Sequence, residues 1–295
     1  MESKIDIQIG NFEQKKQIEK ELITVFGQNL EYIPAVTKII VPINFDETIS
    51  NLSNKEYNSQ RDNLNVEAVA RGIKLDEEII LVISSGIFTS DFDNIIRSVY
   101  FLHERIHILN NRPGQKTFDH IGFLTNDTNW LYDEFLANHI SWNTIINGFE
   151  KPIKSLELHY NHIIKQFEKD VKNISGYINR INSLQNEIIN NHISFDNGFF
   201  KIKEILYDYL LKSIYIIALE MVKTNDKDML VKKYAFPEPL RILFNEFFER
   251  IINYPIWFNN HSFLENIYNI FQIHFDNTGT TNEQISFCTK TGHYV

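Results

Sequence analysis

The segment DNIIRSVYFLHERIHILN, residues 93–110, carries two helical periodicities at once. Ile95, Val99, Leu102, Ile106 and Leu109 recur at alternating steps of four and three, the spacing of one buried stripe on an amphipathic helix. His103 and His107 stand one turn apart on the adjacent face, beside Ile96 and Tyr100. Ser90 or Asp91 is placed to cap the start, and Asn110, Asn111 and Pro113 end the helix. Residues four apart on a helix have Cβ atoms about 5–6 Å apart, so both imidazoles can reach one metal ion at about 2.0–2.1 Å. The helical period turns Glu104 by about 100° from His103. It is then better placed to meet a water at an open coordination position than to complete the ligand set. His103-Glu104-Arg105-Ile106-His107 is therefore an HExxH pattern with Glu104 in the general-base position.

A pattern this short arises by accident in a chain with ten histidines, so a second element is required. A catalytic zinc takes three protein ligands and keeps one position open, which directs attention to WLYDEFLANHISW, residues 130–142. Glu134 opens a second predicted helix, and Asn138 lies one turn along the same face, where its amide can orient a ligand histidine. Asp133, His120 and His139 compete with Glu134 for the third ligand position. Tyr132, His120 and His139 are candidates to donate to a developing oxyanion.

HERIH followed by Glu134-Phe135-Leu136-Ala137-Asn138 resembles the ImmA/IrrE family of zinc metallopeptidases, whose pattern is HExxH and, some tens of residues later, ExxAN. The likeness spans residues 75–142. It implies a gluzincin-like centre with His103, His107 and Glu134 as Zn2+ ligands, Glu104 as general base, and a protein substrate of the transcriptional-regulator class. The chain departs from the family at Ile106, where members carry a small residue, often glycine. A longer zinc pattern with a third histidine six residues after the second is excluded, because Pro113 stands there.

Around this core the expected fold is α+β. A small zincin-like domain over 1–148, with a few-stranded sheet packed on the HExxH helix, precedes a mostly helical region over 149–295 that selects substrate or regulates. Residues 11–32 read as an amphipathic helix and residues 38–43 as a strand whose end, at Pro42, meets a sheet edge. Residues 46–65 are polar, with weak periodicity. They suit a lid, a surface loop or a short helix. Residues 77–84 form the clearest strand, apolar from Ile79 to Ile83 and so buried on both faces. It is either an interior strand or one that offers an edge to extended substrate. Residues 156–193 read as one long helix with Tyr160, Ile164, Phe167, Val171, Ile174, Ile178 and Ile181 as its seam, and Gly176 as its only breaker. Helices over 199–223, 237–254 and 263–274 follow, and the seam packs on them as a bundle. A self-associating coiled coil is the weaker reading, since e and g positions carry no charge code. His159, His162, His192, His261 and His274 suggest no second metal site, lacking carboxylates at ligand spacing.

With 43% hydrophobic and 23% charged residues the composition is that of a globular protein. A formal charge of −9 argues against broad contact with nucleic-acid phosphates. The opening MESKIDIQIG lacks a signal-peptide core, and the most apolar run, 210–222, is broken by Lys212 and Glu220. Cys288 is the single cysteine. Together these lead us to expect a cytoplasmic protein with neither membrane nor bulk nucleic-acid partners. A catalytically silent metal-binding sensor or a protein-interaction scaffold is the alternative reading.

Overall fold

The computed structural model describes residues 4–27, 36–53, 69–75, 78–89, 93–110, 129–224 and 226–250. They form a mixed α/β structure with one small sheet and mostly helical content. Two compact units divide the chain, the first within 1–116 and 140–160, the second within 117–139 and 161–295.

The first unit opens with β1 (Ile5–Ile7), α1 (Phe12–Phe26), β2 (Val36–Val41) and α2 (Phe45–Ser53). It continues with β3 (Ala70–Leu75), β4 (Glu78–Ile83), α3 (Gly86–Thr89) and α4 (Asn94–Asn110). The sheet order is β1-β2-β4-β3, parallel except for the antiparallel β3–β4 pair. The Ile79–Ile83 run is thus an interior strand, and the reading that it offers an edge to substrate is corrected. It alternates between two apolar layers: Ile79, Leu81 and Ile83 pack with α1 and α4, whereas Val82 packs with Phe45, Ile49 and Ile73. β2 is interior as well, and Pro42 falls just past its last residue, where its missing N–H costs the ladder nothing.

α1 is closed at its start by a capping box in which Asn11 and Gln14 exchange side-chain and backbone hydrogen bonds. It ends earlier than the sequence suggested, at Gly27, whose φ of 85° is open to glycine at little cost. The polar stretch expected after residue 46 begins as α2, and residues 54–68 lie outside the described residues. β3 was not anticipated, because Ala-Arg-Gly-Ile-Lys-Leu shows little β patterning of its own. Its ladder with β4 supplies what the side chains do not.

The second unit is helical. α5 (Asn129–Asn147) runs through the boundary and is buried almost continuously from Leu131 to Trp142, so it is apolar around most of its circumference. The predicted long helix over 156–193 is instead two, α6 (Lys154–Lys172) and α7 (Ile174–Ile189). The break falls at Asn173, with φ −93° and ψ 42°, whereas Gly176 stays inside α7. Beyond the break the buried side becomes Tyr177, Ile181, Gln185 and Ile188, and Ile174 and Ile178 are only half buried. α8 (Phe195–Glu220) follows, started by Ser194 and nearly all buried from Ile202 to Leu219. A methyl group at Gly198 would overlap Ile188 and Ile193, so glycine there sets the approach of α8 to α7. α9 (Lys227–Tyr234), capped by Asp226, was not foreseen, and α10 (Glu238–Arg250) completes the described part. The helix expected over 263–274 lies outside it. Among the described residues no helix is long and apolar enough to cross a membrane.

Candidate metal centre

α4 forms where the motif demands it, but its cap and its buried face both differ from expectation. Asp93 rather than Ser90 or Asp91 starts it. Oδ1 accepts from the Ile95 and Ile96 amides at 3.1 and 2.9 Å, and Oδ2 accepts from the Ser155 hydroxyl at 2.6 Å. Burial works against this carboxylate, but Ser155, the two amides and Arg97 outweigh it and hold the group below its ordinary pKa. Of the expected stripe, Val99 and Ile106 are buried and Ile95, Leu102 and Leu109 half buried, and Leu102 and Leu109 pack on the cluster with α1 and the sheet that also holds the buried Phe101 and Ile108. One turn before Phe101, the buried Arg97 makes a two-pronged ion pair with Glu21 of α1, both contacts 2.8 Å. An apolar-stripe reading excludes arginine by construction, so this face was invisible to it. A paired guanidinium satisfies its donors and can be buried.

His103 and His107 emerge as expected, both half buried. Their Nε2 atoms are 2.8 Å apart and the rings meet edge to face, with centroids 4.5 Å apart. The two ring nitrogens are hydrogen-bond partners, with donor and acceptor set by the tautomers. Two donors bound at about 2.0–2.1 Å to one tetrahedral ion sit roughly 3.3 Å apart. The pair is therefore already close to the separation a shared ion requires.

Glu134 completes the group: one ligand atom from each of His103, His107 and Glu134 lies within 4.8 Å of the other two. This is the one set of three or more His, Cys, Asp or Glu with metal-holding geometry among the described residues. Asp133 is buried but does not belong to it. Within the second unit, the Tyr215 hydroxyl of α8 donates to Glu134 Oε2 at 2.9 Å. Asn138 spends an amide N–H on the main-chain carbonyl of Glu134, 2.9 Å away and one turn back, and so braces that turn of α5. Glu104 is half buried on α4, between the two histidines in sequence.

The oxyanion candidates separate. Tyr132 is a core residue, 1% exposed, its ring against Phe135 and Phe247. His139 stacks on Phe135, and its Nδ1 bonds the Ala218 carbonyl at 3.1 Å. A carbonyl only accepts, so that nitrogen carries the proton. Burial lowers the His139 pKa, with the Ala218 carbonyl opposing. His120 lies outside the described residues.

Two further polar contacts escaped sequence reasoning. Tyr215 sits in an apolar run that reads as plain core, and nothing local marks its hydroxyl. His159, which the sequence marks only as no metal ligand, is half buried against Trp142, with its Nε2 3.0 Å from the Tyr100 hydroxyl. Burial pushes the Tyr100 phenol up to about 12. No family model, curated protein or solved structure matches the chain.

Proposed function

We propose that the protein is a zinc-dependent metallopeptidase of zincin-like fold, akin to the ImmA/IrrE group, acting on a protein or peptide substrate in the cytoplasm. The observation that carries this reading is the convergence of His103, His107 and Glu134, drawn from α4 and α5, within 4.8 Å. Two imidazoles and one carboxylate are a donor set suited to zinc, and three protein ligands leave a position for solvent.

When bound, zinc supplies Lewis acidity: it lowers the pKa of a coordinated water to about 7 and polarises a carbonyl. The chain's own residues do the rest. His103 and His107 would hold the ion through deprotonated ring nitrogens, the form of imidazole that binds a metal. Glu134 contributes the one negative charge of the ligand set. Glu104 accepts a proton from the attacking water and returns it to the departing amine, so that neither hydroxide nor an amide anion has to form unassisted.

Metal analysis of the purified chain is expected to give about one zinc per molecule. Cleavage of an unbiased peptide mixture, read by mass spectrometry, then tests the chemistry. Glu104→Gln should retain zinc while losing a factor of about 10²–10⁴ in rate. A Glu104→Gln variant that cleaves at the wild-type rate would remove the proposed base. Wild-type protein that holds zinc yet cleaves nothing would favour a metal sensor instead.

A further inference from the structure

From the contact between α8 and α5, we infer that Tyr215 is a positioning residue for the metal centre. Through its hydrogen bond to Oε2 it sets the rotation of the Glu134 carboxylate and holds it ready to ligate. This inference rests on the proposed role of Glu134 as a ligand.

A glutamate side chain turns about three bonds, and ordering it on metal binding costs conformational entropy. The Tyr215 phenol fixes one of its oxygens at 2.9 Å before any ion arrives. The phenol is itself held, because its ring packs on Phe167 of α6 with centroids 5.6 Å apart. One turn further along α8, the Ala218 carbonyl accepts from His139, which lies on α5 just past the turn that carries Glu134. Two side-chain hydrogen bonds, at 215 and at 218, therefore tie the same stretch of α5 to the same stretch of α8. The Asn138 amide braces the Glu134 carbonyl from within α5. The ligand thus stands on rigid helices with its rotation set by a second helix, the arrangement that keeps a ligand within tolerance of productive geometry.

The test compares wild type, Tyr215→Phe, Glu134→Ala and the double variant as full-length chains. Zn2+ affinity is measured by chelator competition, and the Co2+-loaded forms are compared by visible absorption, which reports coordination geometry. Tyr215→Phe keeps the ring that packs on Phe167, so the metal-free melting temperature serves as the control for folding. Loss of a partner of this kind typically weakens metal binding about 10- to 100-fold. We expect at least the lower end, with an altered Co2+ spectrum. Added to Glu134→Ala, the tyrosine substitution should cost nothing more, because the group it acts on is gone. Wild-type affinity and spectrum in Tyr215→Phe, with Glu134→Ala weakened, would overturn the role of Tyr215 and leave the ligand set standing. A further loss in the double variant would also overturn it, since Tyr215 would then act independently of Glu134. Undiminished zinc affinity in Glu134→Ala would instead remove Glu134 from the ligand set and the inference with it.

Discussion

Two polar clusters, one largely buried and one half buried, are built from different kinds of neighbours. In the helical unit, the Lys212 ammonium lies 2.9 Å from both Asp208 and Asp170, and Asp208 also accepts from the Tyr177 hydroxyl at 2.8 Å. Each charge there has an opposite charge beside it. His103, His107 and Glu134 are instead three electron-pair donors gathered within 4.8 Å of one another. A cluster of complementary charges closes on itself and holds the fold. A cluster of metal-ligating groups offers its electron pairs to a cation, while hydrogen bonds such as that from Tyr215 to Glu134 satisfy it without one. Buried polarity alone does not point to function; the sign of the neighbours does.

Three experiments break or sharpen that contrast. His103→Ala removes a ligand from a set of three. Structural zinc sites realise about 10–16 kcal/mol, so a share of roughly one third predicts a loss of zinc affinity of about 10²- to 10⁴-fold. Zinc titration followed by melting should show no metal-induced stabilisation in the variant. The melting temperature of the metal-free chain should change little, because an exchange of donors has been removed rather than an ion pair.

Lys212→Ala should do the reverse. Lys212 and Asp208 are 7% and 4% exposed at their side chains, so deletion strands a buried carboxylate. A loss of about 3 kcal/mol is expected, the low end for a broken buried pair because Asp170 is 35% exposed. Denaturant unfolding measures it, and a Lys212→Met, Asp208→Leu double variant should recover much of the loss. Zinc affinity should be unchanged. If Lys212→Ala abolished zinc binding without unfolding the chain, the separation of the two clusters would be wrong.

The smallest effect concerns His139. Burial depresses its pKa, so the unfolded chain takes up a proton near pH 6.5 where the folded chain does not. The stabilisation due to its neutral form is complete above that value and is lost as the pH falls toward the lower, folded pKa. Between pH 7.5 and 5, melting temperature should fall more steeply for wild type than for His139→Gln. Parallel slopes would show that this histidine is not what senses the pH.

Much of the centre was legible because it is local. The four-residue spacing of His103 and His107 puts their rings together on any α-helix, whatever surrounds it. The Ile79–Ile83 run could only be a strand covered on both faces, and the two apolar layers on either side of it bear that out. What stayed hidden depended on partners distant in sequence. Arg97 interrupts its apolar face until Glu21 is beside it, and Lys212 looked like a break in an apolar run until Asp208 and Asp170 gave it a reason to be buried. Asn173 ends one helix and begins the next without a proline or glycine to announce it.

The sequence by itself determined that α4 presents two imidazoles on one face with a carboxylate beside them, since helical geometry fixes neighbours three and four residues apart. It also determined that a small sheet would precede a largely helical region, through the change of apolar period from two to nearly four. Only the tertiary structure decided that the Tyr215 hydroxyl bonds Glu134 and that β4 lies inside the sheet. Adjacent carboxylates on a helix differ by about 100° in direction. Which of them meets a group far along the chain is settled by how the helix is packed, and that no local pattern encodes.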